Sequence, residues 1–265
     1  MAGRARARIS VIHYYRLVLQ YKGTNYLGFQ IQPEDQGKTI QGELNKALAI
    51  ISKAKAQSLG SGRTDAGVHA LGQVVKVGIE LAIDPQNLVK ALNTKLPDDI
   101  RVIDADVSNY DFSPTVDAKS KEYHYRFSNL RSYQALQNDF IVNNNFDLDI
   151  EQMRRACKIL IGKHDFCNYF CEGTEVSSTV REIFEADIIE VEQGKWDMLP
   201  PHFIFKVVGS GFLKQMVRLL MGAIWNVGRG KVSLEEFENS LKIPRSHRIG
   251  PVAPPSGLYM FRVNY

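Results

Sequence analysis

The stretch SLGSGRTDAGVHALGQVVKV, residues 58–77, places Asp65 among residues that form turns. Arg63 precedes this aspartate by two positions, and Gly62 and Gly67 flank the pair. In an extended chain the side chains of Arg63 and Asp65 point to the same side, where a guanidinium favours the charged carboxylate that covalent attack requires. The two glycines would let a bulky substrate approach the backbone. The stretch therefore predicts either a lone carboxylate nucleophile or an Asx turn with a surface Arg–Asp contact.

Three other kinds of site do not fit this stretch. Neither Gly-x4-Gly-Lys-Ser/Thr nor Gly-x-Gly-x-x-Gly occurs, and the predicted order of strand, loop and strand leaves no helix N-terminus to bind phosphate. Glycosidases use two carboxylates, and Asp65 has no acidic neighbour in sequence. Nucleic-acid deaminases use His-x-Glu and Pro-Cys-x-x-Cys, which are absent.

Metal binding was considered for His164, Cys167 and Cys171, which lie close together in sequence. Their spacing matches no common zinc pattern, and a fourth ligand is not evident. With Cys157 the chain has three cysteines, an odd and sparse set that argues against a disulfide framework. We expect buried or half-buried thiols and no metal.

Composition indicates a globular protein of ordinary type. The chain has 265 residues, of which 44% are hydrophobic and 23% charged, and a net charge of +4. This charge permits an RNA partner without demanding one. No apolar run is long enough for a membrane helix, and the basic start MAGRARARIS is followed by no apolar segment of a secretory signal. We therefore expect a cytoplasmic protein without a membrane partner.

Strand and helix patterns occur in a similar order in two parts of the chain. The predicted strands are residues 14–21, 72–80, 100–108, 121–129, 179–193, 202–212 and 257–265. Three predicted helices begin after the capping residues Thr39, Asp84 and Asp149, and two more cover residues 213–228 and 233–241. The polar stretch 109–120 is predicted to be a linker. We expect an α+β protein with a basic arm at 1–13 and two halves, 14–112 and 113–265, each with helices on one face of an antiparallel sheet.

The motif GRTDAGVHALGQV, residues 62–74, resembles the signature of the TruA family of tRNA pseudouridine synthases. Further stretches occur in the order typical of that family, so that the resemblance covers roughly residues 14 to 265. They read YKGTNYLGFQ, TIQGELNKAL, LNTKLPDDI, KEYHYRF, FLKQMVR and GLYMFRV.

This resemblance implies a fold, a reaction and a substrate. The fold would be the pseudouridine synthase fold, with two α/β-sandwich-like halves sharing an extended, mostly antiparallel sheet, flanking helices and an active site in the cleft between the halves. The reaction would be the isomerisation of uridine to pseudouridine in the anticodon stem-loop of tRNA, at positions 38, 39 and 40. The family acts as a homodimer and uses neither cofactor nor metal.

The resemblance also assigns roles to individual residues. Asp65 would be the catalytic carboxylate, acting by addition to the sugar or base or through a glycal. Tyr123 matches the tyrosine of Lys-x-Tyr-x-Tyr, whose ring stacks on uracil and whose hydroxyl serves in proton transfer at C5. Arg218 would pair with Asp65, and Leu258 would pack beneath the base. Arg63 is expected to bind substrate, and His69 and Gln73 to support the site.

Without the resemblance, Tyr123 and Leu258 would be taken for ordinary strand residues in the core. Arg218 would be a polar position on an apolar helix, although a charge among Met216, Val217, Leu219 and Leu220 usually needs a partner.

One stretch departs from the family. Where the family commonly reads Phe-His-Ala-Arg-Phe-Ser-Ala, residues 112–118 read FSPTVDA, with Ser113 in place of the histidine and Thr115 in place of the arginine. A basic site near the RNA is thereby lost, which leaves a second hypothesis of a pseudouridine synthase acting on another RNA. A third hypothesis, an RNA-binding module without activity, predicts loss of some of Asp65, Tyr123 and Arg218, and all three are present.

Overall fold

A single mixed sheet contains the ten strands of the described chain. The computed structural model describes residues 11–33, 37–130, 135–171, 176–194, 199–243 and 248–265. The strands are β1 His13–Tyr21, β2 Gln57–Gly60, β3 His69–Ile79, β4 Ile100–Ser108, β5 Ser120–Ser128, β6 Val142–Asn143, β7 Gly162–Asp165, β8 Val180–Val191, β9 His202–Gly209 and β10 Leu258–Asn264. Their order is β4-β1-β3-β10-β5-β9-β8-β7, with β2 beside β3 and β6 beside β5. Among these strands β10 runs parallel to β3 and β6 parallel to β5, and the other pairs are antiparallel.

Three of the five helices in the described chain begin at the capping side chains that the sequence predicts. They are α1 Ile40–Ser52, α2 Pro85–Asn93, α3 Ile150–Leu160, α4 Met216–Gly228 and α5 Leu234–Asn239. The side chains of Thr39, Asp84 and Asp149 accept hydrogen bonds from backbone N–H groups in the first turns of α1, α2 and α3. Such bonds satisfy donors that a helix start leaves free, so the predicted caps are confirmed.

Period-two burial orients the sheet toward its helices. Along β1, Tyr15, Leu17, Leu19 and Tyr21 are buried, while the alternate residues are more exposed. The buried face lies in one core with apolar residues of α1 and α2, and α4 packs against α3 and β5. Almost every residue of α4 is buried, as expected for a helix that is apolar on all sides.

Strand β10 lies between β3 and β5 and brings distant parts of the chain together. Tyr259 and Met260 pair with His69 and Ala70 at the start of β3. On the other side of β10, Met260 is opposite Tyr123 of β5. The loop before β3, which contains Asp65, is thereby placed next to β5. The α+β class and the mostly antiparallel sheet are confirmed.

Some predicted boundaries differ from the structure. Residues 57–60, predicted to lead into a loop, form β2 because they pair with β3, and β3 begins at His69 rather than at residue 72. Helix α4 begins at Met216 rather than at 213 because Gln215 has a left-handed backbone with φ 63°. The basic residues of the predicted arm lie outside the described residues.

Candidate active site

The Asp65 loop, residues 61–68, connects β2 to β3 and is held by hydrogen bonds to its backbone. The Ser61 N–H donates to Val74 O at 2.8 Å. The Gln73 side-chain amide donates to Gly62 O at 2.8 Å and accepts from the Ser61 hydroxyl at 2.6 Å. Gly67, with φ +78°, allows the turn that follows the aspartate. The predicted supporting role of Gln73 thus has a geometric basis.

The loop that follows β1 packs against the backbone on the other side of Asp65. Phe29 N–H donates to Thr64 O at 3.1 Å, and the hydroxyls of Tyr21 and Thr64 are 2.8 Å apart. Gly28 has φ +100°, and a Cβ on it would lie 2.5 Å from Thr64 O. The YLGFQ segment, residues 26–30, therefore sets the position of the Asp65 loop from outside the signature motif.

Arg218 reaches Asp65 from α4, 153 positions later in the chain. Its Nη1 donates to Asp65 Oδ2 at 3.0 Å, and its Nε donates to Ala253 O at 2.7 Å. The two side chains are 12% and 22% exposed. The other carboxylate oxygen, Oδ1, receives no hydrogen bond from a described residue. One oxygen of Asp65 is therefore fixed by a cation, and within the described residues the other is free to meet a reactant.

Tyr123 lies on the face of β5 that meets this pair. Its ring is 7% exposed and packs edge-to-face on Phe212 with centroids 5.0 Å apart. Its hydroxyl forms no hydrogen bond with any residue that the structure describes. Burial raises the pKa of the Tyr123 hydroxyl, and the charges of Tyr21 and Asp65 raise it further, so the hydroxyl stays protonated at neutral pH.

Leu258 is the first residue of β10 and lies opposite Tyr125. The turn before it is fixed, because Tyr125 donates its hydroxyl to Pro254 O at 2.8 Å. In the same turn, Pro255 approaches Gly67 so closely that a Cβ there would lie 3.0 Å from its ring. Leu258 is 6% exposed and lies on the same face of the sheet as Tyr123.

Arg63 is exposed and makes no ion pair within the described chain. Side chains two positions apart share one side only in an extended strand, whereas residues 61–68 form a loop, so the predicted contact between Arg63 and Asp65 is wrong. The arginine that pairs with Asp65 is Arg218. His69 is buried, and its Nδ1 accepts from the Gly23 N–H at 3.1 Å.

Two side chains near the Asp65 loop were missed by the sequence reasoning. Lys121 donates its Nζ to Ser61 O at 2.6 Å, and Thr115, in the stretch that departs from the family, donates its hydroxyl to Gly60 O at 3.1 Å. Burial lowers the pKa of Lys121, and the nearby charge of Arg181 adds to this effect. Alternation along KEYHYRF could have found Lys121, since it lies two residues before Tyr123.

Metal and membrane sites were sought in the same residues. The described chain contains no group of three or more His, Cys, Asp or Glu side chains that could hold a metal ion. Cys157 is buried and Cys167 and Cys171 are half-buried, as expected. None of the described helices combines the length and apolar character that crossing a membrane requires.

Comparison with known proteins identifies the family. The family model described as tRNA pseudouridine synthase matches residues 17–114 and 156–265. These ranges include Asp65, Arg218 and Leu258, whereas Tyr123 lies between them.

Relatives of similar length match along nearly the whole chain. A protein named tRNA pseudouridine synthase A from Exiguobacterium sibiricum is 40% identical over 95% of this chain and 96% of its own. Proteins of the same name from a Geobacillus species and Bacillus subtilis are 37% and 36% identical, each over 94% of this chain and 97% and 98% of their own. The chain therefore belongs to the tRNA pseudouridine synthase family.

Proposed function

We propose that this protein isomerises uridine to pseudouridine in tRNA, with Asp65 as the catalytic carboxylate. The observation that carries the proposal is the ion pair between Asp65 and Arg218, which leaves Oδ1 without a described partner next to Tyr123. The names of its relatives support tRNA as the substrate class. By resemblance to the family, the target lies in the anticodon stem-loop.

The reaction moves one bond of the nucleoside. The bond from uracil N1 to the ribose C1′ breaks, the base turns, a C5–C1′ bond forms, C5 loses its proton and N1 gains one. The sum is redox-neutral and needs no added group, which is consistent with a reaction without cofactor or metal. The Asp65 carboxylate begins either a covalent or a glycal route, with the guanidinium of Arg218 paired to one of its oxygens. The target base must leave the helical stack to reach it.

The other site residues receive roles that fit their surroundings. The Tyr123 ring would stack on the uracil, and its protonated hydroxyl suits a proton relay at C5 better than a phenolate base. Leu258 would pack beneath the base. The exposed guanidinium of Arg63 is available to the RNA, where arginines commonly contact phosphates.

The larger organisation of the protein is part of the same proposal. We place the boundary between two halves after residue 112, so that Asp65 comes from the first half and Arg218, Tyr123 and Leu258 from the second.

By resemblance the protein acts in the cytoplasm as a homodimer whose RNA contacts both subunits. Light scattering of the purified protein would test the dimer. The neutral residues Ser113 and Thr115 keep open the choice of another RNA, which mapping of modified uridines in a deletion strain would test.

The first experiment is tritium release from tRNA labelled at C5 of uridine. C5 loses its hydrogen only when the new bond forms there. We expect release by the wild type and none by Asp65→Asn, with RNA binding retained because phosphate contacts carry most of the affinity. Asp147→Asn, at an exposed position, is the matched control and should behave as the wild type. Retained activity of Asp65→Asn would overturn the assignment of the carboxylate.

A further inference from the structure

Lys121 carries a buried positive charge without a counter-ion in the described chain. The residue is 9% exposed, and its Nζ donates to a neutral partner, the carbonyl oxygen of Ser61, at 2.6 Å. An ammonium has three donors, of which the described residues engage one. A buried charge without a charged partner is costly and calls for an anion in the working state of the protein.

The ammonium converges with Tyr123 on one small region beside the Asp65 loop. Gly62 has no side chain, and a Cβ there would lie 3.7 Å from Lys121 Nζ and 3.9 Å from the Tyr123 hydroxyl. Lys121 and Tyr123 are on the same face of β5 because they are two positions apart. The cation therefore lies beside the tyrosine on which the uracil is proposed to stack.

Asp65 does not serve as the counter-ion of Lys121. Asp65 is already paired with Arg218 at 3.0 Å. Arg181 contributes a further positive charge near Lys121 and, together with burial, lowers the pKa of the lysine. The region thus has an excess of positive charge that the substrate must balance.

The proposed reaction produces such an anion at this place. When the N1–C1′ bond breaks, its electron pair stays on the uracil, and the negative charge spreads over N1 and the carbonyl oxygens. The base must remain bound while it turns to present C5. A fixed cation in a region from which water is excluded stabilises charge at that stage far more than it would in water.

We propose that Lys121 is the cation that binds the detached uracil anion, through a hydrogen bond from Nζ to one of its carbonyl oxygens. No proton is transferred in this step. The electron pair is used again when C5 bonds to C1′, after which C5 loses its proton, N1 gains one and Lys121 is unpaired as before. The inference rests on the proposed function and adds to it a catalytic residue that contacts the base.

The experiment compares two bases in single-turnover reactions. Lys121→Met keeps an unbranched side chain, one atom shorter, and removes its charge. Lys206→Met, which removes a half-buried lysine paired with Glu185, is the matched control. One tRNA transcript contains uridine and the other 5-fluorouridine, whose electron-withdrawing fluorine stabilises the base anion. Conversion of the N-glycoside is followed by liquid chromatography of the digested nucleosides, which separates the isomers, with fragmentation in the mass spectrometer to identify the C-glycoside. RNA affinity is measured at two salt concentrations.

We expect Lys121→Met to slow uridine cleavage about 100-fold, as removal of a single charge-stabilising donor does, with RNA affinity and its salt dependence unchanged. The deficit should shrink to less than about 10-fold on 5-fluorouridine, because the fluorinated anion needs less stabilisation. A purely structural role for Lys121 would give equal deficits on both bases. Lys206→Met should match the wild type on both.

Two results would overturn the inference while leaving the proposed function intact. One is equal deficits on the two bases. The other is weaker RNA binding with a salt slope reduced by about one and a normal rate at saturation, which would make Lys121 a phosphate ligand. If the wild type leaves uridine unchanged, that result would contradict the proposed function and, with it, the inference.

Discussion

At the scale of single residues, the geometry of the site depends on the two hydrogen bonds that Arg218 makes in different directions. Its Nε binds Ala253 O, and its Nη1 binds Asp65 Oδ2. A guanidinium can make both at once because its donors form a rigid planar fork, whereas an ammonium is a single point of charge. The arginine therefore orients the carboxylate as well as placing a positive charge beside it.

Arg218→Lys should separate orientation from charge. The variant keeps the positive charge but cannot reach both acceptors, so we expect the rate of tritium release to fall about 100-fold, with normal RNA affinity. Arg155→Lys, at the surface of α3, is the control and should keep the wild-type rate. Full activity in Arg218→Lys would mean that charge alone suffices at this position.

The sequence predicted the members of this pair but not how they meet. The signature motif pointed to Asp65, and the apolar residues around Arg218 indicated that its charge needs a partner. Lys121 and Thr115 were missed because hydrogen bonds to the backbone carbonyls of Gly60 and Ser61 depend on tertiary contacts. Strand alternation could have placed Lys121 on the same face as Tyr123, but it reports neither of these hydrogen bonds.

At the scale of elements, the segment at residues 26–30 acts as a support for the Asp65 loop. Two features require glycine at position 28. Its φ is +100°, and a Cβ there would lie only 2.5 Å from Thr64 O. Phe29 donates to the same carbonyl. Any shift of this segment moves the backbone beside the Asp65 carboxylate.

Gly28→Ala should therefore lower activity more than the strain of a positive φ alone would. Gly230→Ala is the matched control, since Gly230 also has positive φ, +67°, but open space where a Cβ would lie. We expect the control to lose about 1 kcal/mol of unfolding free energy and keep its rate. Gly28→Ala should lose more than about 2 kcal/mol of unfolding free energy. Its rate of tritium release, measured at a temperature where the variant is still folded, should fall at least about tenfold. Equal effects of the two substitutions would show that the close contact is unimportant.

Element boundaries show what local pattern can and cannot predict. The three predicted caps are confirmed, because capping is a property of a few consecutive residues. Strand β2 was missed, because four residues with an exposed–half-buried alternation become a strand only by pairing with β3. The turn that delays the start of α4 to Met216 likewise has no clear sequence signal.

At the scale of the whole molecule, His69 connects three distant segments. It lies on β3, accepts a hydrogen bond from Gly23 and stacks on Tyr259 of β10 with ring centroids 4.8 Å apart. Its Nδ1 must be unprotonated to accept that bond. Burial lowers the pKa of His69, although backbone groups of Asp139 and Ser256 counter part of the effect.

Stability should accordingly fall in mild acid. The unfolded chain binds a proton at His69 near pH 6.5, and the folded chain resists it, so this contribution is complete above about pH 6.5 and is lost below it at up to about 1.4 kcal/mol per pH unit. His69→Asn should flatten the dependence of melting temperature on pH between 7 and 5.5. A slope unaffected by His69→Asn would contradict this account.

The order of the strands could not be read from the sequence. The run GLYMFRV at 257–263 predicts a strand but not its neighbours. Its place between β3 and β5 depends on pairing with residues far away in the sequence. Tyr259 pairs with His69, about 190 positions earlier, and Met260 with Tyr123, about 135 positions earlier. The family resemblance supplied the fold, and periodicity alone would have left two separate halves.

The central position of β10 has a consequence for the protein during its synthesis. A ribosome delivers Asp65, Tyr123 and Arg218 well before residue 258, but the strand that joins the first two in one sheet is still missing at that stage. A nascent chain that stops short of β10 would hold the Asp65 loop and Tyr123 on unconnected sheet edges. We therefore expect activity to appear only after β10 has been synthesised, so that an incomplete chain leaves the RNA around it on the ribosome unmodified.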